Sequence, residues 1–203
     1  MFKKVEDTHP QEMYKLLVSG IIPRPIAWVS TQNQHGVQNV APYSFFTVAS
    51  VNPPILAITH VAPRAGGEKD TLANLKAVPE CVVNIVSASQ AEAMNASCAP
   101  YDNDTSEFEQ AQIAAAPSEL VKPVSVADSA VRYECKLREI INLSDLPAGG
   151  QLILLDVVGV SVKDGLLTEA GLVDAKQLDA IGKLGGDDYS YCRDGFALAR
   201  PSL

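Results

Sequence analysis

The chain has no Cys-x-x-Cys pair, no cluster of Lys and Arg, a single tryptophan and no apolar run long enough to cross a bilayer. Each absence removes a class of function. Cys81, Cys98, Cys135 and Cys192 are scattered, as are His9, His35 and His60, so neither a zinc site nor a dithiol motif has support. Cys81 and Cys135 fall in apolar-patterned stretches and read as small core residues. His35 sits in a polar turn and His60 at a strand end. The longest apolar stretch, Leu152 to Val160, is interrupted by Asp156, so no membrane span is expected. Met1 to Asp7 turns acidic where a signal peptide would turn apolar, which makes a cytoplasmic protein the expectation. A formal net charge of −8 gives no generic attraction to nucleic acid or anionic membrane.

Several catalytic signatures are missing too. There is no Walker A loop, no G-x-G-x-x-G after a strand and no G-x-S-x-G elbow. Nothing in the spacing pairs carboxylates for acid–base work, and a solvated face accounts for most of them. No repeat, low-complexity tract or linker divides the 203 residues. One domain over residues 1–203 is expected, with a core at about 10–163 and a C-terminal helix and tail strand at 164–203. A hydrophobic fraction of 47% with 20% charged residues allows it a substantial core.

What is present is mostly strand. Apolar, β-branched or aromatic runs mark strands at Ile26–Ser30, Val40–Val48, Ile55–Thr59, Cys81–Val86, Val131–Ile141, Leu152–Val162 and Phe196–Ala199. Val131, Tyr133, Cys135 and Leu137 alternate with charged residues, as in a half-buried antiparallel strand. Leu152–Val162 is apolar on both faces and reads as a central strand covered on both sides. Asp70 or Thr71 caps a helix over Leu72–Val78, and Ser89-Gln90-Ala91-Glu92 opens another to about Cys98. Ser106 opens a helix around Phe108–Ala115; Asp174 starts one to Leu184, which Gly185-Gly186 ends. Helices inserted between strands, without strict βαβ alternation, predict a mostly β protein with peripheral helices, built on an antiparallel barrel.

Two places invite a ligand. In the run Asn39 to Phe46, Pro42 cannot donate to a ladder, so Ala41-Pro42 marks an edge, a bulge or backbone left free for a ligand. Asn39, Tyr43 and Ser44 beside it suit a planar, polar-edged molecule. The second place is Arg64-Ala65-Gly66-Gly67-Glu68-Lys69-Asp70-Thr71, where two cations and a glycine pair precede a helix start. Backbone N–H groups and the helix dipole there favour a phosphate dianion; an ordinary capped surface loop is the alternative.

The run Arg24-Pro-Ile-Ala-Trp-Val-Ser-Thr31, then Gly36, Asn39-Val-Ala-Pro-Tyr-Ser-Phe-Phe46, Pro53-Pro54, Lys69-Asp-Thr71, Asn74 and Val83-Asn84 closely resembles the flavin reductase-like, FMN-binding split-barrel family. Ile181-Gly-Lys-Leu-Gly-Gly186, Tyr189, Phe196 and Arg200-Pro201 look like its longer, flavoredoxin-like branch, with Lys183 where an arginine is frequent. The resemblance implies an FMN-binding split β-barrel, a homodimer, and FMN near the dimer interface. It implies that Ser30 and Thr31 contact the flavin or its ribityl chain, and that Asn39 and the Val40–Ser44 backbone (Val40, Ala41, Pro42, Tyr43, Ser44) line the ring's polar edge. Arg64, Lys69, Asp70 and Thr71 would form the phosphate end, with Asn74 either reaching it or lying exposed on the helix. Trp28 packs near the ring or in the plain core, and Tyr43 stacks on flavin or fills a loop.

The activity implied is hydride transfer from NAD(P)H to flavin and on to an acceptor or a partner monooxygenase. The flavin carries that chemistry, so no protein nucleophile is required. Two alternatives stand beside it: a flavoredoxin-like electron carrier that does not oxidise NAD(P)H, and a split-barrel binding module with no redox role.

Overall fold

In the computed structural model, which describes residues 1–62, 68–102 and 104–201, the chain opens with helix α1 (Pro10–Gly20). Strands β1 (Arg24–Pro25), β2 (Ala27–Gln32), β3 (Gln38–Tyr43), β4 (Phe46–Val51) and β5 (Pro54–Val61) follow. Then come α2 (Asp70–Ala77), β6 (Glu80–Ile85), α3 (Ala91–Ala96), α4 (Glu107–Gln110), β7 (Ala115–Ala116) and β8 (Ser125–Val126). The long strands β9 (Val131–Asn142) and β10 (Gly150–Val162) precede α5 (Ala175–Leu178), β11 (Ile181–Lys183) and β12 (Tyr189–Tyr191).

Seven strands form one antiparallel sheet in the order β3-β2-β6-β9-β10-β5-β4. Its two edges, β3 and β4, are consecutive in sequence, joined only by Ser44 and Phe45. The sheet therefore curls until β3 approaches β5 without a ladder between them. Bulges between Leu154 and Leu155 and between Val157 and Gly159 help β10 bend.

Alternation along β2 separates two cores. Ala27 and Val29 point inward to join Tyr43, Ile58, Val83, Cys135 and Ile153, while Leu72 and Leu75 of α2 plug one end. Trp28, on the opposite face, is buried with Val40, Met94, Phe108, Val126 and Ile181 under α3 and α4. Its indole N–H donates to Ser97 Oγ at 3.0 Å, so the buried ring leaves no polar atom unpaired. Cys81 and Cys135 face each other across β6 and β9, fully buried as free thiols.

Several expected elements differ. The run Val40–Val48 breaks at Ser44-Phe45, because the corner carries the chain from one sheet edge to the other. β10 is central, but Val158 and Val160 are exposed, so only Ile153 and Leu155 on its inner face are fully covered. The helix starting at Asp174 lasts one turn: Asp179 adopts the left-handed conformation, and Ile181 N–H donates to Val86 O instead. Gly186 has positive φ as expected of a helix end, yet serves the β11–β12 turn. Lys69, not Asp70 or Thr71, is the N-cap of α2. The capping box before α3 joins Ser87 and Gln90, two residues ahead of the one expected. α4 stops at Gln110, and Gln112 takes a positive φ where helix had been expected. Phe196–Ala199 forms no strand. Conversely, α1 had no forecast; His9 Nδ1 caps it by accepting from Gln11 N–H, with Pro10 at its first position.

Candidate functional site

Pro42 interrupts nothing. β3 pairs with β2 in unbroken register from Ala27–Tyr43 to Gln32–Gln38. Val40 N–H points away from β2 and donates to Glu107 Oε2 at 3.1 Å. By strand alternation the Pro42 nitrogen lies on that same outer side, where no ladder bond is lost. The outer rim of β3 is thus a free edge whose donors are removed in advance, one by a carboxylate and one by a pyrrolidine ring.

The start of α2 faces this rim, held there by a buried network. Asn39 Oδ1 accepts from Thr31 Oγ1 and Thr71 Oγ1, each at 3.2 Å. Asn74 Nδ2 donates to Thr31 Oγ1 at 3.1 Å, and Asn39 Nδ2 donates to Glu107 Oε1 at 2.7 Å. Five side chains thereby join α2, β2, β3 and α4, and every one is buried. Ser97 to Tyr101, after α3, form the far wall of a cleft of about 360 Å³, which Asn39, Pro42, Tyr43, Lys69, Thr71 and Glu107 also line.

Charge in the cleft is mixed. Glu68, Asp70 and Glu107 line it, and Lys69 is the cation among its described residues. Burial pushes the Glu107 carboxyl up, opposed by the backbone N–H groups and the Asn39 amide it accepts from. Burial likewise raises Asp70. The Tyr43 phenol is pushed up to about 12 by burial, with the nearby Thr71 hydroxyl lowering it slightly. Thr71 Oγ1 is engaged with Asn39, and among the described residues Tyr43 Oη has no hydrogen-bond partner. His60, behind Tyr43 with ring centroids 6.4 Å apart, is held below its usual pKa by burial first and by Lys69 next.

The residues expected at a site are partly gathered here. Asn39, Ala41, Pro42, Tyr43, Lys69, Asp70 and Thr71 line the cleft. Thr31 and Asn74 lie beneath it as supports, so Asn74 is not an exposed helix residue. The Ser30 side chain is turned to Val124 O at 2.5 Å, and Val40 and Trp28 are core residues. Ser44 opens onto neighbouring clefts. Arg64 and the Gly66-Gly67 pair lie outside the described residues. Glu107, Ser97, Cys98 and Tyr101 were not foreseen. Glu107 is 67 positions from Val40, and its place beside Ser106 marked it as a helix opener only.

Such a cleft suits a flat, phosphorylated ring. Among the described residues nothing accepts from the N–H groups of Asp70 and Thr71, which stand at the positive end of α2 beside Lys69. The buried Tyr43 hydroxyl, without a partner among the described residues, is a donor for a ligand acceptor, and the donor-poor rim at Pro42 admits a planar face. The residues present therefore fit a phosphate-bearing flavin.

Residues 19–182 match the flavin reductase like domain. The chain belongs to the flavin reductase-like family. As a member, it is 35% identical to an uncharacterized protein of Halalkalibacterium halodurans over 200 residues, 95% of this chain and 93% of that protein. The crystal structure of nitrilotriacetate monooxygenase component B from Bacillus cereus superposes with a TM-score of 0.91 at 32% identity, covering 98% of each chain. A Shewanella frigidimarina protein with a split barrel domain matches all of this chain and 99% of its own at TM-score 0.83 and 23% identity, which shows the shared fold. The seven-stranded sheet of this flavin reductase-like chain is accordingly a split barrel. No described helix is long and apolar enough to cross a membrane.

Proposed function

We propose that this flavin reductase-like protein binds FMN in the cleft between the β3 rim and the start of α2, takes hydride from NAD(P)H and passes the electrons to an acceptor. The observation that carries the reading is the free N-terminus of α2, with Lys69, set opposite the donor-poor rim at Pro42. Bound FMN would supply the hydride-accepting ring. Lys69 and the Asp70 and Thr71 N–H groups hold the phosphate, and the Thr31–Asn39–Thr71–Asn74 network keeps those groups aimed. Tyr43, neutral throughout the physiological range, donates its hydroxyl proton to the ligand without releasing it. Glu107 secures the rim by occupying Val40 N–H.

The relationship to a monooxygenase component supports an acceptor flavin or partner monooxygenase downstream. Exposed Leu17, Ile21, Ile22, Val48 and Val51 supply an apolar surface for a homodimer, and a protein that draws on NAD(P)H is expected in the cytoplasm.

The visible spectrum of the protein with FMN, followed by anaerobic mixing with NADH or NADPH, tests this reading. Rapid bleaching of the flavin is expected. Bound flavin that stays yellow with both nucleotides would leave an electron carrier, and failure to take up FMN would leave a binding module. Replacing Lys69 by Ala should raise the FMN Kd by about tenfold or more, the scale of one charge-assisted contact.

A further inference from the structure

Beside the flavin cleft lies a second one of about 590 Å³, between α1 and the β11–β12 turn. Its charged lining residues are all cations: Lys15, Arg24 and Lys183. That is notable in a chain with 24 acidic and 16 basic residues. Arg24 is only 7% exposed, yet no carboxylate of the described residues pairs with it. Its guanidinium donates to the carbonyls of Val18, Ile21 and Leu184 and to Ser44 Oγ, all neutral acceptors. The carbonyl end of α1 offsets about half a charge. The rest of the guanidinium charge is buried without a counter-ion among the described residues, which is ordinarily unfavourable.

Lys183 adds to the surplus. Its ammonium sits 3.9 Å from the Tyr189 ring centroid and donates to Asp188 O. Burial and repulsion from Arg24 depress its pKa, with Asp187 and Asp188 on the adjoining turn pulling the other way. Tyr14 and Ser44 belong both to this cleft and to a shallower one reaching Pro42, Tyr43 and Lys69. The two sites therefore form one trough along the outside of the β3–β4 corner.

We propose that the cationic cleft seats the pyrophosphate of the pyridine dinucleotide, whose nicotinamide then lies along the trough toward the flavin cleft. A dianion matches the uncompensated charge, and the Gly185-Gly186 turn lets backbone approach it closely. The proposal rests on the NAD(P)H-dependent reading above.

The test titrates ADP-ribose, which lacks the nicotinamide and cannot transfer electrons, into the FMN-loaded protein by calorimetry. Saturable binding is expected. Lys183→Met and Lys15→Met should each raise its Kd about tenfold, Lys183→Arg should restore it, and the FMN Kd should not change. Arg24 is spared because it also ties α1 to β11. Absent ADP-ribose binding, or unchanged affinity in both Met variants, overturns the assignment. So does a parallel loss of FMN affinity, which would give the cations to the flavin. If ADP-ribose binds as expected while neither nucleotide bleaches the flavin, the anion site stands and the reductase reading falls. Bleaching without ADP-ribose binding has the opposite meaning.

Discussion

Among the described residues, Tyr43 Oη and His60 Nδ1 are buried without hydrogen-bond partners, and each predicts a different behaviour. Removing the unpaired Tyr43 hydroxyl in Tyr43→Phe should raise the stability of the flavin-free protein by about 1 kcal/mol. The same change should weaken FMN binding, so thermal melts with and without FMN should shift in opposite directions. His60 is 1% exposed with Nδ1 unpaired, and its pKa lies below the unfolded value of about 6.5. The unfolded chain then takes up a proton first, so the stability that neutral His60 contributes is present above about pH 6.5. It is lost as pH falls through the lowered folded value. Urea midpoints at about pH 7.5 and 5.5 should drop more for the native sequence than for His60→Leu. The identity of the cleft's residues was legible where chemistry and spacing coincide, as at Pro42, Lys69 and Thr71. Glu107 was not legible, because its role depends on a contact with Val40 that only the fold creates.

Strands were easier to foresee than helices. Val131–Ile141 shows two-residue periodicity and Cys81–Val86 is a short run rich in β-branched side chains, and both fold nearly as expected. α1 carries helical apolar spacing at Met13, Leu16 and Leu17, yet Leu16 and Leu17 stay exposed and only Val18 is buried. The segment after Asp174 shows the reverse error. Its residues suit a helix, but Gly182 is needed for close packing in a strand: a Cβ there would lie 2.7 Å from Pro23 Cβ. Gly182→Ala must push β11 away from β1, and a loss of about 1–3 kcal/mol is expected in denaturant unfolding. A fully native stability would mean that this contact relaxes freely.

At the scale of the whole molecule, the antiparallel barrel followed from the strand-rich pattern without βαβ alternation, whereas its division into two cores and the closing of its split did not. That closing depends on Ser44 and Phe45 carrying the chain between the sheet edges, a feature with no local signature. Near this corner, Phe45 and Phe46 border Leu17 and Ile21 of α1, and Val51 is 84% exposed at the end of β4. If the face is a subunit contact, sedimentation should give a dimer, and Val48→Asp with Val51→Asp should give a folded monomer; a native monomer would remove that assembly.

Arg24 also bears on how the polypeptide is made. Its guanidinium holds carbonyls contributed by Val18 and Ile21 near the beginning and by Leu184 near the end. During translation Arg24 follows the first helix at once and can reach the Val18 and Ile21 carbonyls, but its tie to Leu184 forms only when β11 has emerged from the ribosome. A premature stop just ahead of β11 would spare the whole seven-stranded sheet and the local Arg24 contacts of α1 yet remove the strand to which that corner is tied.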